Sequence, residues 1–242
     1  MVVTAERDAR LDPGPLQPAI RLVDVIRIYR EVDVETVALR GIDLEIAPGE
    51  IVAIMGRSGS GKSTLLQLIA GSDRPTTGQV VVDGIDIARA DETVRSALRG
   101  RRVGIVFQSQ NLVPFLDLTE NVRLAATLAG RPVDDPTITA ALERVGLGSR
   151  ANGRPAQLSG GEQQRAALAA IVVTRPAILL ADEITGELDS SSANGLLDLM
   201  MEIQASERMT IVLATHDPDV AARADRVVEL RAGRIVGDRR AR

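Results

Sequence analysis

The stretch Ile51–Ala70, IVAIMGRSGSGKSTLLQLIA, passes from an unbroken apolar run through a glycine-rich loop into a helical pattern. Ile51–Met55 lacks the alternation of a half-solvated strand, so it reads as a short strand buried on both faces. Ser63–Ala70 reads as a helix, with Gly71 at its C-cap. Between them, Gly56 to Ser63 fits G-x-x-x-x-G-K-[ST]. The glycines let the backbone curl until successive N–H groups face one point, and the helix adds the positive end of its dipole. Such a cradle is built for phosphate. Lys62 can reach β- and γ-phosphates, and the Ser63 hydroxyl can ligate Mg²⁺. Gly56, Arg57, Ser58, Gly59, Ser60, Gly61, Lys62, Ser63 and Thr64 are therefore the predicted nucleotide-binding residues.

Composition points to the same loop. Of 29 basic side chains in 242 residues, Lys62 is the only lysine; Tyr29 and His216 are likewise the only residues of their kinds. With 45% hydrophobic residues the chain can bury a large core without staples. It has no cysteine, hence no disulfide framework, thiolate metal site or thiol nucleophile. A net charge of −4 and 1% aromatics argue against nucleic acid as a partner. No apolar run approaches the ~20 residues that span a bilayer. Residues 1–20, with mixed charges and three prolines, read as a disordered leader rather than a signal peptide. The basic C-terminal end, GRIVGDRRAR, reads as solvated, with residues 238–242 as a tail.

Working outward, Arg21–Arg30 and Ala38–Ile46 alternate as strands do, and Pro48-Gly49 marks a turn. Val80–Val82 and Ile85–Ile87 flank Asp83-Gly84 as a hairpin. Val103–Phe107, Ile178–Ala181 and Ile211–Ala214 read as buried strands, and Gln163–Thr174 as a helix stopped before Pro176. Residues 110–160 are mostly helical and punctuated by prolines. Strands alternating with helices predict an α/β fold on a largely parallel sheet, with an inserted helical subdomain.

Two of these strands end in chemistry. Ile178–Ala181 runs into Asp182-Glu183, at the strand end where α/β sheets bind ligands. Asp182 can hold Mg²⁺, and Glu183 can orient or deprotonate an attacking water. His216 ends the strand from Thr210, placed to hydrogen-bond a γ-phosphate. Leu158-Ser159-Gly160-Gly161-Glu162-Gln163 opens another helix with a hydroxyl and two glycines, either a plain Ser N-cap or a second anion site. One nucleotide has little use for two such ends from one subunit. A head-to-tail dimer would let each subunit's second end meet the other's nucleotide.

On these residues the chain resembles the ATP-binding subunits of ABC transporters, over roughly Arg21–Gly237. The resemblance identifies Gly56–Ser63 as Walker A, Gln108 as the Q-loop glutamine, Leu158–Gln163 as the signature and Ile178–Asp182 as Walker B. It implies Glu183 as catalytic base, Asp189 in the D-loop, His216 as the switch histidine and Tyr29 as the adenine-stacking aromatic. Its implied fold is a P-loop NTPase cassette, with a RecA-like core, an antiparallel β subdomain and the helical insertion. Its implied catalytic set is Lys62, Glu183 and His216. The nucleotide set adds Tyr29, Gln108, Ser159, Gly160, Gly161, Glu162 and Asp189 to the loop, and the metal set is Ser63, Gln108 and Asp182. ATP and Mg²⁺ are the implied cofactors, and the partners are a second copy and a separately encoded membrane permease. The implied location is cytoplasmic, peripheral on the inner face of the cell membrane.

Phe107–Val122 and Thr185–Ser190 are similar to the lipoprotein-release and macrolide-exporter subgroup. Ala170, Ile184, Glu187 and Gln110 depart from the usual Arg, Pro, Asn and aromatic or small residue, none at a phosphate-contacting position.

The function so implied is an ATPase that energises the permease. An alternative is an ATP-driven signalling subunit regulating a cell-envelope enzyme. A soluble ABC ATPase of DNA repair or translation usually carries a long coiled coil or two cassettes. Here Leu158 follows Lys62 by only 96 positions, and one cassette is present. Asn111–Leu116 is apolar for a loop containing proline. It reads either as packing of the helical subdomain or, by the resemblance, as the groove that receives a permease helix.

Overall fold

A computed structural model describes residues 17–31, 34–109 and 111–240. Most of residues 1–20, together with Gln110, Ala241 and Arg242, lie outside the described residues. Two sheets organise the chain. Strands β1 (Ile20–Glu31), β2 (Val34–Ile46), β4 (Thr77–Val82) and β5 (Ile85–Asp86) form an antiparallel sheet in the order β2-β1-β4-β5. Strands β3 (Ile51–Met55), β6 (Val103–Val106), β7 (Ile178–Asp182), β8 (Thr210–Thr215), β9 (Arg226–Arg231) and β10 (Arg234–Arg240) form the other, in the order β10-β9-β3-β8-β7-β6. From β9 through β6 the pairings are parallel.

Helix α1 (Lys62–Ile69) follows β3 directly. Its Leu65, Leu68 and Ile69 pack with Ile54, Leu180 and Val212 of the parallel sheet and with Ile20, Leu39 and Val82 of the antiparallel one. Each such side chain contributes about 1.5–3 kcal/mol of transfer free energy on burial, so this one core locks α1 between the sheets. On the opposite face of the parallel sheet, α5 (Gly160–Val172) and α6 (Ser190–Glu207) pack through Ala167, Leu168, Leu196 and Met200. A third core joins α3 (Leu118–Leu128) and α4 (Asp135–Arg144) to the outer side of α5 through Leu118, Val122, Leu142 and Ala169. The inserted helices thus hang on α5, the helix opened by the second glycine pair.

The hairpin at Asp83-Gly84 has positive φ at both residues (49° and 78°), the geometry of a type I′ turn. Helix α2 (Glu92–Arg101), N-capped by Asp91, has no counterpart among the elements expected from sequence. The strand expected to reach Phe107 ends at Val106, and the Phe107 backbone pairs instead with side chains: its N–H donates to Asn111 Oδ1, and its carbonyl accepts from the Asn111 and Gln164 amides. Two boundaries are corrected. Ile20, placed in the leader, already belongs to β1 and is fully buried.

The expected tail is also wrong from Asp238 to Arg240, which continue β10 against β9. The cause is a partner that the tail composition hides. Arg226 forks onto Asp238 through Nε and Nη2 at 2.7 and 2.6 Å. Its Nη1 donates to the Glu45 carbonyl on β2 at 2.8 Å, tying the two sheets together. The Arg226 hydrogen bonds hold the Asp238 carboxyl below the usual carboxylate range. A depressed native pKa adds stability above the unfolded value of about 4, and that stability is lost as pH falls through the native one. Asp238→Asn should therefore lower the urea midpoint at pH 7, with the deficit shrinking as both proteins are taken below about pH 4. A deficit independent of pH would assign it to packing instead.

Candidate active site at the phosphate loop

Helix α1 begins without a side-chain acceptor. Its N-cap is Gly61 at φ 108°, whereas every other α-helix among the described residues starts on a side chain that accepts a first-turn N–H. Orphan N–H groups at a helix start, facing a glycine loop, are donors held for an anion. A side chain would not fit. A Cβ at Gly61 would lie 2.7 Å from the Ala38 carbonyl, and one at Gly56 would lie 2.4 Å from that of Leu230. The loop is further tied by Gly56 N–H to the Thr215 carbonyl and by Gly233 N–H to the Ser60 carbonyl. The adjoining hollow, about 720 Å³, is lined by Met55–Ser60, His216 and Glu229–Ala232.

Lys62 is 5% exposed, and its ammonium is already occupied. Nζ donates to the Gly56 carbonyl at 2.8 Å and to the Arg57 carbonyl at 3.3 Å, and lies 3.1 Å from Glu183 Oε1. The other carboxylate oxygen, Oε2, stands 3.5 Å from His216 Nδ1. Three of the predicted catalytic side chains are therefore in contact, with Glu183 between the two nitrogen groups. Glu183 holds φ at 49°, a left-handed conformation that costs an ordinary residue about 1–3 kcal/mol. Its own N–H donates to the Ala214 carbonyl and its carbonyl accepts from Gly186, which fixes that conformation.

Asp182 ends β7 beneath the loop. Burial pushes its carboxyl above the usual range, more than the neighbouring Ser63 hydroxyl pulls it down. Its Oδ1 is buried and has no hydrogen-bond partner. An orphaned carboxylate oxygen beside a hydroxyl, in a loop shaped for phosphates, fits a divalent cation. The Ser60 hydroxyl is also buried and unpartnered.

The remaining predicted residues are not gathered here. Ser159 caps α5, accepting from Glu162 N–H, while the Glu162 carboxylate accepts from Ser159 N–H at 2.9 Å. Asp189 caps α6 and accepts from Ser191 N–H, Ser192 N–H and the Ser192 hydroxyl. Gln108, predicted at the metal, instead donates to Glu187 Oε1 at 3.3 Å. Tyr29 donates its hydroxyl to Asp73 Oδ2 at 2.8 Å, and the Arg27 guanidinium lies 4.3 Å from its ring centroid. Arg27 thus covers one face of the ring.

Gly160, Gln163, Gln108, Glu187 and Leu188 line a second groove of about 720 Å³, separate from the first. Gln164 carries no expected role from sequence, yet it is buried and donates to the Phe107 and Gln108 carbonyls at 3.2 and 2.5 Å, binding the loop after β6 to α5. The same holds for Asn121, whose Oδ1 accepts from Val113 N–H and whose Nδ2 donates to the Val113, Leu116 and Asp117 carbonyls, shaping the apolar loop. The only sequence signal for either was a carboxamide inside an apolar helical pattern.

The family model for ABC transporters matches residues 39–186. The macrolide export ATP-binding/permease protein MacB of Hyphomonas neptunium is 47% identical over 91% of this chain, which spans about a third (34%) of that relative's length. The lipoprotein-releasing system ATP-binding protein LolD of Pseudomonas fluorescens is 43% identical over 88% of this chain and 95% of its own. A dimeric ATP-binding cassette in a post-hydrolysis state with ADP and Pi superposes with a TM-score of 0.85. It is 35% identical, covering 92% of this chain and 99% of that one.

The loop geometry makes a graded prediction. Gly61→Ala meets both a strained φ and the Ala38 carbonyl, whereas Gly59→Ala, at φ 75° with open space around it, meets only the strain. Urea denaturation should show a loss of about 1 kcal/mol for Gly59→Ala and clearly more for Gly61→Ala. Equal losses would mean that α1 is free to shift at its start.

Proposed function

The chain belongs to the ABC transporter family of ATP-binding proteins, and from that premise we propose that it is the ATP-hydrolysing subunit that energises a membrane permease. The observation that carries this is the contact of Lys62, Glu183 and His216 at the end of an uncapped helix. In the reading, α1 N–H groups and the loop backbone bind the β- and γ-phosphates. Lys62 exchanges its loop carbonyls for a phosphate oxygen, and Glu183, released from Lys62, orients the attacking water and takes its proton. His216 steadies the far side of the γ-phosphate. Ser63 and Asp182 would hold Mg²⁺, which supplies charge neutralisation on the phosphates.

Because the α5 start opens through Gly160 on a different groove from the phosphate loop, the nucleotide site is completed by a second copy arranged head to tail. Dimeric cassettes of this fold support that arrangement. Among the described residues no helix is long and apolar enough to cross a membrane. The membrane part is accordingly assigned to a permease, with this subunit held at the cytoplasmic face. The likeness to macrolide export and lipoprotein-releasing proteins favours an exporter-like transporter.

Two variants separate binding from chemistry. Lys62→Ala should lose both nucleotide binding and hydrolysis. Glu183→Gln should still bind ATP but cleave it at least 100-fold more slowly, as loss of a general base implies. With Mg²⁺-ATP the Glu183→Gln protein should elute as a dimer in size exclusion. Unchanged ATPase activity in either variant would overturn the assignment.

Docking of the permease is read at the apolar loop. Phe115 is 71% exposed and sits beside the groove lined by Leu112, Val113, Pro114 and Ile184. An exposed aromatic beside an apolar groove suits a short helix laid into it. Phe115→Asp should leave the melting temperature and basal ATPase activity of the isolated subunit near wild type and abolish co-purification with the permease. A large drop in melting temperature would return Phe115 to the core.

A further inference from the structure

Closing the dimer proposed above brings two unlike faces together, and each face carries an exposed charge for which its own chain supplies little or no compensation. On the phosphate-loop face, Lys62 is buried against Gly56, Arg57 and Glu183, and Arg231 pairs with Glu229 at 3.1 Å. His216 lies against Glu183. The Arg57 side chain is exposed in the middle of the loop and joins no ion pair among the described residues. On the other face, Glu162 is taken by Ser159 and by Arg150 at 3.5 Å, and Asp189 is saturated by three donors of α6. Glu187 is exposed, lines the groove shared with Gly160 and Gln163, and accepts one long hydrogen bond from the neutral Gln108 amide.

We propose that Arg57 of one copy forms an ion pair with Glu187 of the second copy, twice across the two-fold axis, so that this chain's ATP-bound dimer is partly closed by charge. This rests on the head-to-tail reading. Apposition of the two faces withdraws both side chains from water, and a charge so buried without a partner is costly. A guanidinium against a carboxylate satisfies both in one bidentate contact. The attraction is screened by salt because the pair sits at an opening and closing surface.

The test is a double-mutant cycle in the Glu183→Gln background, with Arg57→Ala, Glu187→Ala and their combination. Dimer dissociation constants are measured by light scattering at Mg²⁺-ATP concentrations that saturate each variant, at low and at high NaCl. Each single variant should weaken the dimer about tenfold at low salt, since each removes both symmetric pairs. The combination should be no weaker than either single variant, and the salt dependence of the parent should be much reduced in all three. Additive losses, or singles that dimerise like the parent, overturn the ion pair while leaving the dimer intact. A parent that stays monomeric with Mg²⁺-ATP overturns the dimer reading itself, and the pair with it.

Discussion

The start of α1 is the constraint on which the rest depends. A helix N-terminus leaves N–H groups unpaired, and six helices among the described residues use an Asp or Ser side chain to close them. At α1 the cap is Gly61, and no acceptor is supplied. A capping side chain there would stand where an anion must stand. Keeping the place open requires a backbone that only glycine tolerates, pressed against the Ala38 and Leu230 carbonyls. Those carbonyls come from β2 and β9, so both sheets must be assembled before the cradle has its shape.

The acids around the loop obey the same economy. In the free chain Lys62 is satisfied by two loop carbonyls and Glu183, which spares it the penalty of an unpaired buried charge. Binding a phosphate is then an exchange of partners rather than the creation of a new site. Asp182 lacks such provision, with one oxygen orphaned and its carboxyl pushed up by burial. The strain at Glu183 and the orphan at Asp182 fall on adjacent residues at the end of one strand, where the fold concentrates its costs.

The second glycine-rich helix start has the opposite character. Ser159 and Glu162 close the α5 N-terminus within the chain, and its groove is separate from the phosphate hollow. On the head-to-tail reading proposed above, a single copy contains both halves of a nucleotide site without joining them. Gln164 on α5 and Asn121 on α3 both hold the segment after β6 that carries the apolar surface around Phe115.

Much of this was legible in sequence because it is local. The strand–loop–helix order, the Asp83-Gly84 turn, the buried β7 and β8, and the acids at a strand end follow from periodicity and from residues with narrow conformational roles. By itself the sequence determined that Lys62 ends a glycine-rich loop between a buried strand and a helix, and that Glu183 follows a buried strand. Only the tertiary structure decided what these side chains touch. The pairing of Lys62 with Glu183 spans the chain from α1 to β7, and the capping of Asp189 and the turn of Gln108 toward Glu187 depend on which donor is nearest. It also decided that Asp238–Arg240 is strand, since an Arg-rich segment reads as solvated tail until Arg226 and the edge of β9 supply its partners. Local pattern sets backbone preference over a few residues, whereas hydrogen bonds and ion pairs are settled by distance across the fold, which no local pattern encodes.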